Sequence, residues 1–499
     1  MTANKNAKTK RPPVVAIMGH VDHGKSTLLD YIRKSNTVAE EAGGITQRVS
    51  AYEVEHKRED GSVEKITFID TPGHAAFGKM RERGASIADI AILIVAADDG
   101  VNMQTKEAIQ TIKDEGIPFV VAINKTDKPE ANADRVKNQL MENEVFLEGY
   151  GGQISYAEIS AKTGKGVDHL LEIILLLADL ENFEGTEDTP ATGFVLESSV
   201  DPKKGISATL IIKNGTLKTG QIIASGNSVA KTRILENHSG KNIKSAAFCA
   251  PVKVYGFDSL PKTGAEFLTF DTKKDFEKFT KEVGSIGEAE ETKGLTKAEK
   301  IIPVIVKSDT MGVTETILSI LKDRSTDSLS FKVIQAGTGN ISENDVKTLS
   351  TENDSLIIAF NVNVDPNAKK QLLEKNVRLE SFDIIYKLTE FLDEYVEDLR
   401  PKKKVAEETG RLKILKTFSR TKEKQVIGCR LEDGSVAVGN EAVILRQEHE
   451  IGKGKVINLQ SGKSEIKELS EPGECGIMIE SKIELAPGDY IKAIKYVIK

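Results

Sequence analysis

Apolar residues in the first third of the chain fall into continuous runs, and each run ends in a short polar loop. Val14-Val15-Ala16-Ile17-Met18 leads into a glycine-bearing loop, and Ile66 to Ile69 leads into Asp70-Thr71-Pro72-Gly73-His74. Phe119 to Ile123 leads into Asn124-Lys125-Thr126-Asp127, and a fourth, weaker run leads into Ser160-Ala161-Lys162. Unbroken runs of this length fit strands buried on both faces. Leu28, Leu29, Tyr31 and Ile32, and later Val167 to Leu180, recur at helical spacing. Strands alternating with helices predict a parallel, mostly doubly wound α/β domain over residues 12–183. Ligands of such sheets bind at the carboxyl ends of the strands. Glu181 to Thr189 is polar and acidic and is expected to be a linker.

The pattern then changes twice. Short β-rich runs (Gly193–Ser198, Ala208–Lys213, Gln221–Ser225, Val252–Phe257, Glu266–Phe270) are separated by turns such as Asn214-Gly215. They predict a β-barrel over 190–272. A charged linker, 273–300, follows. Over 301–399 strands (Ile301–Lys307, Phe331–Gln335, Leu356–Asn361, Val377–Phe382) again alternate with helices, which predicts an α/β/α module. Its last helix, Asp383–Leu399, carries Ile384, Ile385, Leu388, Leu392, Tyr395 and Leu399 on one stripe, expected to be core. Gly337-Thr338-Gly339-Asn340 lacks a full phosphate-loop fingerprint and reads as a turn. Residues 411–499 are β-rich, and Asp433-Gly434 through Gly439 echo Asn214-Gly215 through Gly220. That echo predicts two barrels of one kind.

The loops carry the chemistry. Gly19-His20-Val21-Asp22-His23-Gly24-Lys25-Ser26-Thr27 lies between a strand and a helix. Its glycines let successive N–H groups face a phosphate chain, Lys25 can reach the outer phosphates, and the Ser26 hydroxyl can ligate Mg²⁺. Asp70 is placed like the aspartate that holds the Mg²⁺ shell, and the Gly73 amide can sense a terminal phosphate. Asp127 can accept from N1–H and the 2-amino group of guanine, a pairing adenine does not offer. Ser160-Ala161-Lys162 can pack on the base. Together the loops point to GTP.

Here a resemblance can be stated. GHVDHGKS at Gly19–Ser26, DTPGH at Asp70–His74 and NKTD at Asn124–Asp127 resemble the translational GTPases. Glu41-Ala42-Gly43-Gly44-Ile45-Thr46-Gln47, with DTPGHAAF and AADDGVNMQT, is similar to bacterial translation initiation factor two. The resemblance implies that Thr46, in a switch loop, joins Ser26 on Mg²⁺, with Asp70 behind it. It assigns His74 to positioning the attacking water. It implies a ribosome-stimulated GTPase that helps load formylmethionyl initiator tRNA on the small ribosomal subunit and acts on joining of the large one. An elongator-type tRNA carrier and a GTP-gated ribosome-associated scaffold are the alternatives. Arg48 is expected to face solvent or RNA rather than act as an arginine finger, and His20 and His23 to be structural.

The last barrel of that family holds initiator tRNA. Gly428-Cys429 and Glu474-Cys475-Gly476 match its two cysteine positions. The family's Lys-Arg-Tyr cluster is replaced by Gln460-Ser461-Gly462, with Lys463 following, which implies weaker tRNA binding.

Charge narrows the partners. The 499 residues carry a net charge of −7, so no broad basic face for DNA is expected. The basic stretch 1–11 reads as a disordered tail. Three scattered cysteines suit a reducing compartment, and no run of about 20 apolar residues is present. A cytoplasmic monomer with no membrane span is expected.

Overall fold

The computed structural model describes residues 8–34, 45–283, 300–326, 328–349, 354–375, 377–399, 404–462 and 464–498. Residues 41–44 of the switch loop and Lys463 lie outside the described residues. The chain divides into two compact units, Met1–Leu399 and Arg400–Lys499.

The first unit opens with a six-stranded sheet. Its order is Ser50–Lys57, Val63–Asp70, Val14–Gly19, Ile90–Ala96, Phe119–Asn124 and Tyr156–Glu158. All neighbours are parallel except the first pair. The central strands are buried along their whole length, as continuous apolar runs require. Alternate residues serve opposite faces: Val15 and Ile17 join one core cluster, Ala16 and Met18 another. The antiparallel Ser50–Lys57 edge strand is not among the predicted elements, because it has no continuous apolar run; its apolar and polar residues alternate, as suits a half-exposed edge.

The ends of this domain are tied together. Thr9–Lys10 pairs antiparallel with Glu184–Gly185, so residues 8–11 are not a disordered tail, although 8–10 are exposed, and 184–185 are not free linker. Arg11 forks onto Asp89 at 2.6 and 2.7 Å, and Lys213 of the barrel reaches the same carboxylate at 2.6 Å. The two cations hold the Asp89 carboxyl below the usual range against the opposing effect of burial. Asp89→Asn leaves two buried cations under-compensated and is expected to cost about 1–3 kcal/mol. Urea unfolding checks this; an unchanged midpoint removes the node from the stability of the unit.

The barrel's main sheet places Ile222–Ser225, Glu266–Phe270, Thr192–Asp201, Gly205–Asn214, Pro251–Tyr255 and Leu235–Asn237 side by side. The second unit places Glu441–Arg446, Tyr490–Ile498, Lys404–Thr421, Lys424–Gly434, Gly473–Ser481 and His449–Ser461 in the same relative order. Each also has a two-stranded flap, Leu217–Lys218 with Ser245–Ala246 and Val436–Ala437 with Glu468–Leu469. The expected kinship of the two barrels is therefore visible as one topology used twice. Within the expected charged linker, Lys273–Val283 is a helix that lays Phe276 and Phe279 on Phe270 of the barrel.

The α/β module has four parallel strands, ordered Leu329–Thr338, Lys300–Ser308, Leu356–Phe360 and Arg378–Phe382. Ile385, Leu388 and Leu392 of the Ile385–Leu399 helix are fully buried, as the stripe predicts. Their core cluster also takes Ile69, Phe77 and Met80 from the first domain and Leu196 and Ile211 from the barrel. These three modules share one continuous core.

Candidate functional site

One cleft at the carboxyl ends of the strands collects the loops singled out by the sequence. Val21, Asp22, Gly24, Lys25, Ser26, Thr27, Ile45, Thr46, Gly73, His74 and Lys125 line it. The loop holds an unusual path: Gly19 has φ +146°, Asp22 +63° and Gly24 +90°. A Cβ on Gly24 would collide with Asn124 Nδ2, and one on Gly73 would strike Lys25 Nζ and lie 2.9 Å from Val21 N. Gly24 then caps the helix Lys25–Arg33, whose amide end faces the cleft.

Lys25 is buried, with Nζ donating to the carbonyls of Gly19 (3.0 Å) and His20 (2.6 Å). Burial lowers its pKa, opposed by the Asp70 and Asp22 carboxylates. Ser26 Oγ and Thr46 Oγ1 stand 2.8 Å apart, and Thr46 Oγ1 donates to Asp70 Oδ2 at 3.4 Å. Three hard oxygen donors converging in this way fit Mg²⁺.

The Asp70–His74 loop is braced from below. Thr71 Oγ1 donates to Ile17 O at 2.7 Å. The buried Arg81 guanidinium donates to the carbonyls of Pro72, Gly73 and His74 and pairs with Glu107. Nδ1 of His74 accepts from Ala76 N at 2.9 Å, so the neutral ring carries its proton on Nε2. Burial, and then the Arg81 charge, hold its pKa below the ordinary value.

On the base side, Asn124 Nδ2 donates to His23 O (2.8 Å) and its Oδ1 accepts from Ala161 N (2.9 Å), stapling the phosphate loop to the Ser160-Ala161-Lys162 loop. Lys125, at φ +62°, lines the cleft. Thr126 Oγ1 donates to Ile159 O at 2.9 Å. Asp127 is exposed and accepts from Ser160 Oγ at 2.6 Å, a bond that keeps its carboxyl below the usual range. Lys162 is exposed beside it. Asp127, Ser160, Ala161 and Lys162 are joined to one another and to Asn124 but do not line the phosphate side of the cleft.

His20 and His23 are anchors, as expected. His23 is buried and meets Asp99 Oδ2 at 2.9 Å, and His20 bonds Gln104. Arg48 is exposed, as expected, and also pairs with Asp309 of the α/β module. Sequence reasoning also missed Gln47, whose partners lie on a distant element, and Arg81, which bonds backbone carbonyls of the loop just before its helix. In Arg81 the only signal is its place one helical turn after a functional loop.

In the second unit Cys429 and Cys475 are paired across two strands and face the barrel core, 1% and 6% exposed. Burial raises both thiols, Cys475 to about 11. The thiols therefore do not offer a contact surface, contrary to their assignment as tRNA ligands. Their neighbours do. Lys416, Gly428, Gly476 and Gln460 form one row across four strands on the outer face. The two glycines leave a lane floored by backbone. Phe418, 63% exposed, sits beside Gly428 and under Lys416. Exposed Arg430 and Glu474 pair at 2.6 Å in the next row. Gln460-Ser461-Gly462 leads into the hairpin tip, with Gly462 at φ +61°. Phe418 was missed because an aromatic residue in a strand pattern reads as core.

Among the described residues there is no group of three or more His, Cys, Asp or Glu side chains that could hold a metal ion, and no helix long and apolar enough to cross a membrane.

Three family models match the chain: the elongation factor Tu GTP-binding domain over residues 10–179, elongation factor G domain 2 over 190–270 and translation-initiation factor 2 over 277–393. Translation initiation factor IF-2 of Bacillus cereus strain B4264 is 39% identical over 502 residues, covering 97% of this chain and 72% of that protein. IF-2 of Parvibaculum lavamentivorans is 38% identical over 501 residues, covering 98% and 56%. The chain thus spans little more than half the length of some of these relatives. The crystal structure of GDP-bound aIF5B from Aeropyrum pernix aligns over 97% of this chain and 92% of that one, at 25% identity and a TM-score of 0.48.

Proposed function

Since the chain belongs to the translation initiation factor IF-2 family, we propose that it is a GTP-hydrolysing switch of translation initiation. In this proposal it promotes binding of formylmethionyl initiator tRNA to the small ribosomal subunit in the cytoplasm. It then hydrolyses GTP as the large subunit joins. The observation that carries this reading is the convergence of Lys25, Ser26, Thr46, Gly73 and His74 on one cleft beside the Asn124–Asp127 staple.

The loop amides and Lys25 take the phosphates, and Asp127 selects guanine. Ser26 and Thr46 would hold Mg²⁺ with Asp70 behind them, and the bound ion would supply charge neutralisation at the outer phosphates. His74 has its proton on Nε2, so it donates to the attacking water or a phosphate oxygen. It aims the water and does not remove its proton. Among the described residues no arginine lines the cleft, so intrinsic hydrolysis is slow and the ribosome supplies the remaining organisation. The experiment is GTP turnover by the purified protein with and without ribosomal subunits.

We further propose that the lane on the second barrel takes the acceptor end of initiator tRNA, with Phe418 as the stacking surface and Lys416 toward the phosphates. Stacking of this kind is worth about 1–3 kcal/mol per base. The flank at Gln460-Ser461-Gly462 lacks charge, so the affinity has a shallow salt dependence. Gln460→Lys with Ser461→Arg is expected to tighten binding and steepen the log K against log[salt] slope by up to about two charges. Gly462 is left alone, because a side chain at its positive φ is strained. Equal slopes for both proteins would place the tRNA elsewhere.

A further inference from the structure

The α/β module meets two residues at the nucleotide cleft, Gln47 and His74, through the start of its last helix, Ile385–Leu399. Gln47, next to Thr46 and 6% exposed, donates from Nε2 to Asp383 O at 3.0 Å and accepts from Ile385 N at 2.9 Å. One glutamine side chain thus ties the residue after Thr46 to the helix start from both sides. Arg48 and Asp309 make a second tie to the same module.

The next residue of that helix, Tyr386, stands edge-on to His74, with ring centroids 4.3 Å apart and planes at 76°. Phe77 makes a similar approach at 6.0 Å. The only hydrogen bond that orients the imidazole within its own loop is the one from Ala76 N. The two rings limit how far it can swing about that bond. Tyr386 is not part of the buried stripe: Ile385, Leu388 and Leu392 are fully buried, whereas Tyr386 is 41% exposed. Packing of the module therefore does not require this ring. Its hydroxyl is close enough to the phosphate loop that the Asp22 charge, after burial, raises its pKa.

We propose that Tyr386 is a positioning residue for GTP hydrolysis. It holds His74 in the cleft while Gln47, bonded one residue away, holds Thr46 over Ser26. The docked α/β module then sets both halves of the hydrolytic arrangement at once, and a shift of that helix start releases them together. The arrangement captured here, with Thr46 beside Ser26, is the one in which both are in place. This inference rests on the assignment of His74 to water positioning.

The test is single-turnover GTP hydrolysis by the full chain, with and without ribosomes, for Tyr386→Ala, Tyr386→Phe, His74→Ala and the double variant His74→Ala/Tyr386→Ala. GTP affinity and Tm are measured alongside. Tyr386→Ala is expected to lower the rate about tenfold, the scale of a modest misplacement, with GTP affinity and Tm unchanged. Tyr386→Phe keeps the ring and restores the rate. The double variant is no slower than His74→Ala, because Tyr386 acts through His74. Should Tyr386→Ala unfold, Tyr386→Leu keeps the bulk without the ring and is expected to show the same loss. A slow His74→Ala beside wild-type rates for Tyr386→Ala and Tyr386→Leu, or losses that add in the double variant, overturns the inference alone. A wild-type rate in His74→Ala overturns the His74 assignment and the inference with it.

Discussion

Replacing His74 by alanine is expected to lower the proposed ribosome-stimulated GTP turnover by at least about 100-fold, the usual scale for losing a positioned polar group at the reacting centre. GTP affinity changes little, because the imidazole bonds only Ala76 N within the loop, whereas Arg81 bonds the backbone carbonyl of His74, which alanine retains. A fall in kcat with KM unchanged is the signature of an interaction made only in the transition state. The pH profile gives a second check. Burial and Arg81 depress the His74 pKa, so the working neutral ring persists below the ordinary histidine value of about 6.5. Wild-type turnover is therefore expected to be flat from pH 8 to about 6.5 and to fall only in more acid solution. A stimulated rate in His74→Ala equal to wild type removes the residue from the mechanism.

Replacing Asp127 by asparagine shifts the preferred base from guanine toward xanthine. The ionised carboxylate, kept so by the Ser160 hydroxyl at 2.6 Å, can accept two hydrogen bonds from guanine. Hydrogen bonds to a charged group contribute about 1.5–3 kcal/mol each, so losing the one from the 2-amino group, which then faces another N–H, weakens GTP by roughly 10-fold or more. The amide presents a donor to the 2-oxo group of xanthine and an acceptor to N1–H, so XTP gains what GTP loses. Asparagine also keeps an oxygen for Ser160, and the loop is expected to stay folded. Competition binding with GTP and XTP measures the switch; an unchanged preference contradicts the guanine assignment.

Local chemistry was legible in the sequence and long-range contact was not. Glycine loops after apolar runs announce themselves, since few other patterns let backbone amides and a lysine meet at a strand end, and the cleft collects Gly24, Lys25, Ser26, Thr46, Gly73 and His74 as expected. The stripe on the last helix of the α/β module was equally plain, because burial imposes helical periodicity. What escaped notice is whatever depends on a partner hundreds of residues away. Gln47 bonds a helix start 336 residues on, and the ion pair of the exposed Arg48 with Asp309 has no local signal. Arg11 and the 184–185 segment looked like tail and linker, because a two-residue pairing has no periodicity to detect. The two cysteines of the last barrel drew attention by type, whereas alternation along their strands turns them inward and leaves the glycines outside. Their inert, raised thiols are core, and the open lane beside them is the surface to test.

The most direct test of the proposed switch is GTP turnover by the purified chain in four mixtures: alone, with each ribosomal subunit, and with both subunits carrying formylmethionyl initiator tRNA, each run with ATP as the control. Turnover is expected to be slow alone, to rise sharply only when both subunits and the initiator tRNA are present, and to be absent with ATP. Turnover unaffected by ribosomes, or equal with ATP, would contradict a guanine-nucleotide switch of translation initiation.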